Sequence, residues 1–249
     1  MQIRIEPAVY ADLESMREQY RQEANCQIVH YSFIGRGLAD PYLIRVGENI
    51  AGYGAISNKY DKGRVVEFHL LPEFRADAES LFGELLTASQ ATELEAQTNM
   101  PLMLAMLREF GTNAFVERTL FLEGRTTNLA CPNGFFRERR EEDGPGLFGR
   151  PEETLSDWVV ESNGEIVAAG GFLTHYNPPH ADIFMEVAES ARRKGFGSYL
   201  VQEVKRVCYE AGKKPAARCD PGNIASRKTL EKAGLAVCAE MLVAKIRSL

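Results

Sequence analysis

The sequence predicts an α/β protein with mixed sheets, built as two tandem copies of one fold. Three observations predict it. Apolar runs with strand alternation take turns along the chain with amphipathic stretches at helical spacing. The order of these elements in the first half returns in the second. Basic, glycine-containing residues stand at one strand-to-helix passage of the second copy, and their counterparts in the first copy differ.

Taken in order, residues 2–7 alternate as a short strand. Residues 10–24 place Leu13, Met16 and Tyr20 on one helical face, with charges opposite. A less regular stretch follows, broken by Gly35, Gly37 and Pro41. Residues 43–46 and 50–56 read as a hairpin around Gly47-Glu48-Asn49, and 65–71 as a strand. A helix is expected over 77–89, a strand over 92–97, a methionine-rich helix over 100–110 and a strand over 115–122. In the second half, 158–161 and 166–172 form a hairpin around Asn163-Gly164, a favoured turn pair. A strand over 183–187, a helix from Phe196 to about Tyr209, a short strand over 216–219, a helix over 223–232 and a strand over 237–246 complete it.

The halves align segment by segment: 45–52 with 161–168, 71–75 with 187–191, and 99–111 with 223–234. Two domains are therefore expected, 1–124 and 125–249. Residues 125–151 break the symmetry, being charged and then glycine-rich. They read as a solvated linker or, in a functional reading, as a lid over the acceptor site.

The chemistry is concentrated between Ala181 and Gly234. A strand ending at Val187 turns through Arg192-Arg193-Lys194-Gly195-Phe196-Gly197-Ser198 into an amphipathic helix. The first turn of a helix has backbone N–H groups without intrahelical partners and a positive dipole end. Glycine lets a phosphate approach closely, so this loop suits a phosphate or diphosphate. Neither a dinucleotide fingerprint nor a P-loop fits. Leu200 stands where the third glycine of the one is needed, and Ser198-Tyr199 follow Gly197 where the other needs Lys-Ser/Thr. Asn223 opens a second segment, Asn-x-x-Ser226-x-x-x-Leu230-Glu231-Lys232-x-Gly234, with Asn as N-cap and Gly as stop.

Arg-x-x-Gly-x-Gly followed by Asn-x-x-Ser-x-x-x-Leu-Glu-Lys-x-Gly, in this order and separation, resembles the acyl-CoA site of the GNAT superfamily of N-acetyltransferases. The resemblance is close over 158–246 and elsewhere rests on pattern. It implies two tandem GNAT-like acyltransferase folds, the first degenerate, and direct transfer of an acetyl group from acetyl-CoA to a primary amine of a small molecule or peptide. It implies that Arg192, Arg193, Lys194, Gly195, Phe196, Gly197, Ser198, Asn223 and Ser226 hold acetyl-CoA, and that the backbone at Val187 polarises its carbonyl. It points to Glu186 as first candidate base and Asp182 as second. His175 and His180, in the loop before this strand, have a suitable pKa range. Where many relatives carry a tyrosine that protonates the thiolate, this chain has Leu230. Tyr199, Cys219 or water stand as substitutes. This departure sustains a second expectation, a non-catalytic acyl-CoA-binding sensor or scaffold. In the first copy, positions near Ala76, Glu79 and Leu81 correspond to Arg192, Gly195 and Gly197, and no acyl-CoA binding is expected there.

The 249 residues are 45% hydrophobic and 26% charged, as in globular proteins. No apolar run approaches the ~20 residues of a membrane span. An early acid and no apolar core at the N-terminus argue against a signal peptide, so a cytoplasmic location without membrane contact is expected. Five cysteines, odd in number and without a C-x-x-C pair, argue against a disulfide framework or structural zinc, and no metal is expected. A net charge of −6 argues against nucleic acid and is compatible with a cationic amine. The oligomeric state is not fixed by the sequence, and a homodimer is compatible with it.

Overall fold

A computed structural model of the chain describes residues 2–143, 148 and 157–247. It separates into two compact units, residues 1–119 with 239–249, and residues 120–238. The expected halves, 1–124 and 125–249, refer to the repeat in the sequence. The contacts assign residues 120–124 and 239–249 to the other unit in each case.

In the first unit, β1 (Ile3–Pro7), β2 (Ala39–Val46), β3 (Asn49–Ser57), β4 (Arg64–Leu70) and β5 (Glu93–Gln97) lie side by side in that order. All neighbours are antiparallel except β4 and β5. The outer partner of β5 is residues 241–245, antiparallel to Glu93–Gln97. Helix α1 (Glu14–Glu23) follows a 3-10 turn at Tyr10–Leu13. Helices α2 (Ala78–Ser89) and α3 (Pro101–Phe110) bury Leu81, Phe82, Leu85, Met103 and Met106 against Phe68 and Leu70 of β4. Strand β6 (Gly111–Glu123) is longer than the 115–122 expected and crosses the boundary between the units.

In the second unit the order is β6, β11 (Lys214–Cys219), β10 (His180–Val187), β9 (Glu165–Leu173), β8 (Trp158–Ser162) and β7 (Phe135–Glu138). Strands β10 and β11 are parallel; β10 with β9, β9 with β8 and β8 with β7 are antiparallel. The β8–β9 turn has φ of 53° at Asn163 and 78° at Gly164, the doubly left-handed turn for which Asn-Gly is suited. Helix α4 (Phe196–Glu210) lays Leu200, Val201, Val204 and Cys208 onto Ile183 and Ala217. Helix α5 (Ile224–Lys232) follows, and Leu235 begins β12 (Leu235–Ile246).

The charged stretch expected to be linker contains an element. Phe135–Glu138 form β7 on β8, and Arg137 donates to Asp143 at 2.7 and 2.8 Å and to Glu161 at 3.0 Å. The ion pairs account for charge that composition alone assigns to solvent. The glycine-rich part of the same stretch, 144–147 and 149–151, lies outside the described residues, and the lid expectation falls partly there.

Candidate active site

The site begins with a strand that leaves its neighbour. Strand β10 pairs with β11 only at His180↔Lys214, Ala181↔Pro215 and Asp182↔Ala216. It stays paired with β9 as far as Val187↔Ala168. Beyond Asp182 the edge of β10 toward β11 is therefore free, and the side chains from Phe184 to Val187 are half-buried where those before them are buried. Free strand edges accept further chains in extended form.

Below this edge the chain builds a loop with the features that suit an anion. The loop after β10 makes a 3-10 turn at Glu189–Ala191. Arg193 then takes φ 63° and Gly195 φ 94°. Residues in alternating hand turn successive N–H groups to one side, making a concavity for anions. A left-handed arginine is uncommon and marks backbone held for a purpose. Gly195 is the N-cap of α4, no side chain caps that helix, and its first turn holds no acid. Among the described residues, no protein group accepts from the backbone N–H groups of 193–198. Gly197 is small for packing reasons. A Cβ there would stand 3.0 Å from Val187 Cγ2 and 3.3 Å from Thr229 Cγ2, so glycine lets α4 approach both β10 and α5.

These parts enclose a cavity of about 910 Å³. Glu186 lines it, as do Val187, Arg192, Arg193, Gly195, Phe196, Gly197, Ser198, Asn223 and Ser226. Nearly all the expected acetyl-CoA residues are thus brought to one place, although they come from two segments well apart in sequence. Lys194 is exposed and does not line the cavity. Arg192 also reaches back, Nε to the carbonyl oxygen of Val187 at 3.4 Å. Asn223 Oδ1 accepts from the Ser226 N–H at 3.0 Å, so it fixes the start of α5. Lys228, Thr229 and Lys232 on α5 line the cavity too, and sequence reasoning missed them. The signal was present: two lysines four apart share a helix face.

The candidate bases sit differently. Glu186 lies on the part of β10 beyond its last pair with β11 and lines the cavity. Asp182 is the last residue paired with β11, and its carboxylate faces His175 Nε2 at 3.1 Å and Arg218 Nε at 3.6 Å. It serves a polar cluster with Tyr176, whose buried phenol is held protonated, first by burial and then by the neighbouring Asp182 carboxylate. His180 is buried and donates through Nδ1 to the Asn177 carbonyl oxygen, 3.3 Å away, and burial lowers its pKa. Leu230 is a 3% exposed core residue, so hydrocarbon occupies that position. Neither Tyr199 nor Cys219 lines the cavity, and burial raises the pKa of the Tyr199 phenol. Among the described residues, no group of three or more His, Cys, Asp or Glu could hold a metal ion. No helix there is long and apolar enough to cross a membrane.

Comparison with known proteins agrees with this geometry. Residues 123–235 match the family model described as Acetyltransferase (GNAT) family. The fold resembles that of an acetyltransferase of the GNAT family from Colwellia psychrerythraea, with TM-score 0.80 at 17% identity over 99% of this chain and 100% of that one. It also resembles a tandem GNAT protein from the clavulanic acid biosynthesis pathway, TM-score 0.61 at 12% identity over the whole of both chains. A GCN5-related N-acetyltransferase from Sphaerobacter thermophilus gives TM-score 0.59 at 16% identity, over 99% of this chain and 96% of that one. No curated protein matches the sequence. Residues 123–235, nearly the whole of the second unit, thus match the acetyltransferase (GNAT) family model, within a mixed α/β fold that a tandem GNAT protein shares.

Proposed function

We propose that this protein is an acetyl-CoA-dependent N-acetyltransferase, active in its second unit and acting on a primary amine of a small molecule or peptide. The observation that carries the reading is the free edge of β10 running down to the unpartnered amides of 193–198. A long extended arm ending in a diphosphate is the ligand shape that this pair of features suits.

Bound acetyl-CoA supplies a thioester whose acyl carbon is the electrophile. The amides of 193–198 and the dipole of α4 hold its diphosphate, with Arg192 and Arg193 adding charge. Lys228 and Lys232 stand beside the same cavity for its remaining phosphate. The edge of β10 orients the arm as an added strand would, and the backbone N–H at Val187 polarises the carbonyl. Glu186 takes the proton from the amine, directly or through one water. Leu230 has no proton to give. A thiol of pKa about 8.5 leaves readily as thiolate and can take its proton from water.

The buried Leu230 favours one second reading, an acyl-CoA-binding module without turnover. A coenzyme-release assay over amines, polyamines, aminoglycosides and peptides separates the two. Thiol release with an amine establishes transfer. Tight acetyl-CoA binding without thiol release for any of them would replace the enzyme with the binding module.

A further inference from the structure

Strand β11 carries a residue that the transfer scheme does not use. Ala217 and Cys219 pack into the core under α4, so Arg218 between them projects from the other face, that of Asp182. The last β10–β11 pair is Asp182↔Ala216, so Arg218 stands two residues inside the gap, on the opposite bank from Phe184. Glu186 shares the Asp182 and Phe184 face by strand alternation. It stands two residues beyond Phe184, about 7 Å along the strand.

Arg218 is held from behind. Its Nε faces Asp182 Oδ2 at 3.6 Å, and its guanidinium carbon lies 5.8 Å from the centre of the Tyr176 ring. The Asp182 carboxylate also has His175 Nε2 3.1 Å away, and Tyr176 is buried. No protein group among the described residues engages the two terminal amino groups of Arg218. Its side chain keeps 30% of its surface accessible. A guanidinium anchored at one edge, with its terminal nitrogens free, has the planar fork that binds a carboxylate with two parallel hydrogen bonds. Asp182 already balances part of the charge, so the fork is not itself a large uncompensated cation. The chain's net charge of −6 works against an anionic acceptor, which makes a local cation at the gap necessary for one.

We infer that the acceptor is an amine that also carries a carboxylate, and that Arg218 binds the carboxylate while the amine reaches Glu186. This rests on the proposed transfer reaction at the β10–β11 gap. Asp182, His175 and Tyr176 act as positioning residues that aim the fork.

The test uses the full chain and matched pairs: amino acids and dipeptides, their C-terminal carboxamides, and an aminoalkylphosphonate. Thiol release and the shift in melting temperature in the presence of acetyl-CoA are both read. Acids should exceed their amides by about 10-fold or more in kcat/KM, the scale of a charged hydrogen-bond pair. Arg218→Gln should erase that difference by raising KM for the acid, and Arg218→Lys should keep part of it. Unchanged acetyl-CoA affinity reports that each variant is folded. Equal use of acid and amide, or a preference that survives Arg218→Gln, overturns the assignment. So does a phosphonate used better than the acid, which would make phosphate the anion recognised. If no amine releases thiol, the transfer reading fails by itself. An acid-specific thermal shift lost in Arg218→Gln would still uphold the Arg218 site, and its absence would overturn that site too.

Discussion

Strands β4 and β10 are the same strand in two copies, and both part early from their parallel neighbours. β4 pairs with β5 only at Arg64↔Glu93 and Val65↔Leu94, much as β10 leaves β11 after Asp182. The gap exists in both units, but only one is open. In β4 every residue from Arg64 to Leu70 is buried, whereas β10 is half-buried from Phe184 to Val187. Pairing of Gly52 with Leu70 and of Ala168 with Val187 puts His69 where the second unit has Glu186. His69 is fully buried, with its ring 6.1 Å from that of Tyr20 on α1 and 6.0 Å from that of Tyr53. Beside it, Arg17 of α1 donates to Glu67 of β4 at 2.8 and 3.2 Å, and Tyr53 donates to the same carboxylate at 2.8 Å. Burial favours the protonated form of Glu67, and these three donors oppose it. The Arg17 Nη2 also reaches the Tyr31 carbonyl oxygen, and Gln97 of β5 bonds the backbone at Gln27 and Val29. The first copy has thus converted a ligand gap into core and ion pair.

The helix starts differ in the same sense. Counted from the first helical residue, Gly195 corresponds to Asp77 and Gly197 to Glu79. The sequence alignment placed Glu79 at Gly195 and Leu81 at Gly197, two residues off: one because the loop before α2 (71–77) is one residue shorter than that before α4 (188–195), and one because Leu70, not Leu71, is the counterpart of Val187. Either way, acids stand at the helix N-terminus of the first copy, where an anion would be repelled.

Four experiments would break or sharpen this contrast. Gly195→Glu has the largest expected effect. It strains a backbone at φ 94° and puts a carboxylate at the anion site, so acetyl-CoA binding should vanish from calorimetry. Retained binding would place the ligand elsewhere. Next, Glu186→Gln should lower kcat by about 100-fold or more while leaving acetyl-CoA affinity unchanged. An unaltered rate would remove Glu186 as the base. Third, Arg17→Ala leaves Glu67 buried without its cation, and should cost the first unit about 3–5 kcal/mol of stability in denaturant melts. A loss below ~1 kcal/mol would mean that the ion pair is not what holds the closed gap. The smallest effect is expected from Gly83→Ala in α2, where a Cβ would only touch Phe110 at 3.8 Å. It should leave acetyl-CoA affinity unchanged and raise stability by about 1 kcal/mol or less.

Much of this was legible. The strand and helix order followed from period, Asn163-Gly164 marked its hairpin, and the glycines of 192–198 marked the turn into α4. The sequence also showed that the first copy lacks that loop. What escaped were features made by pairs of distant residues. Strand β7 was hidden by charges that find partners at Asp143 and Glu161. The fixed orientation of Arg218 depends on Asp182 and Tyr176, neighbours across strands and not along the chain.

The sequence by itself determined the repeat, the glycine-containing turn into α4 and the asymmetry of the two helix starts, because each is written in local periodicity and in residues a few positions apart. Only the tertiary structure decided that residues 241–245 complete the first unit's sheet against β5, that one strand gap is filled and the other open, and that Asp182 turns toward Arg218. Strand pairing and burial are set by contacts between segments tens to hundreds of residues apart, and no window of sequence contains both partners.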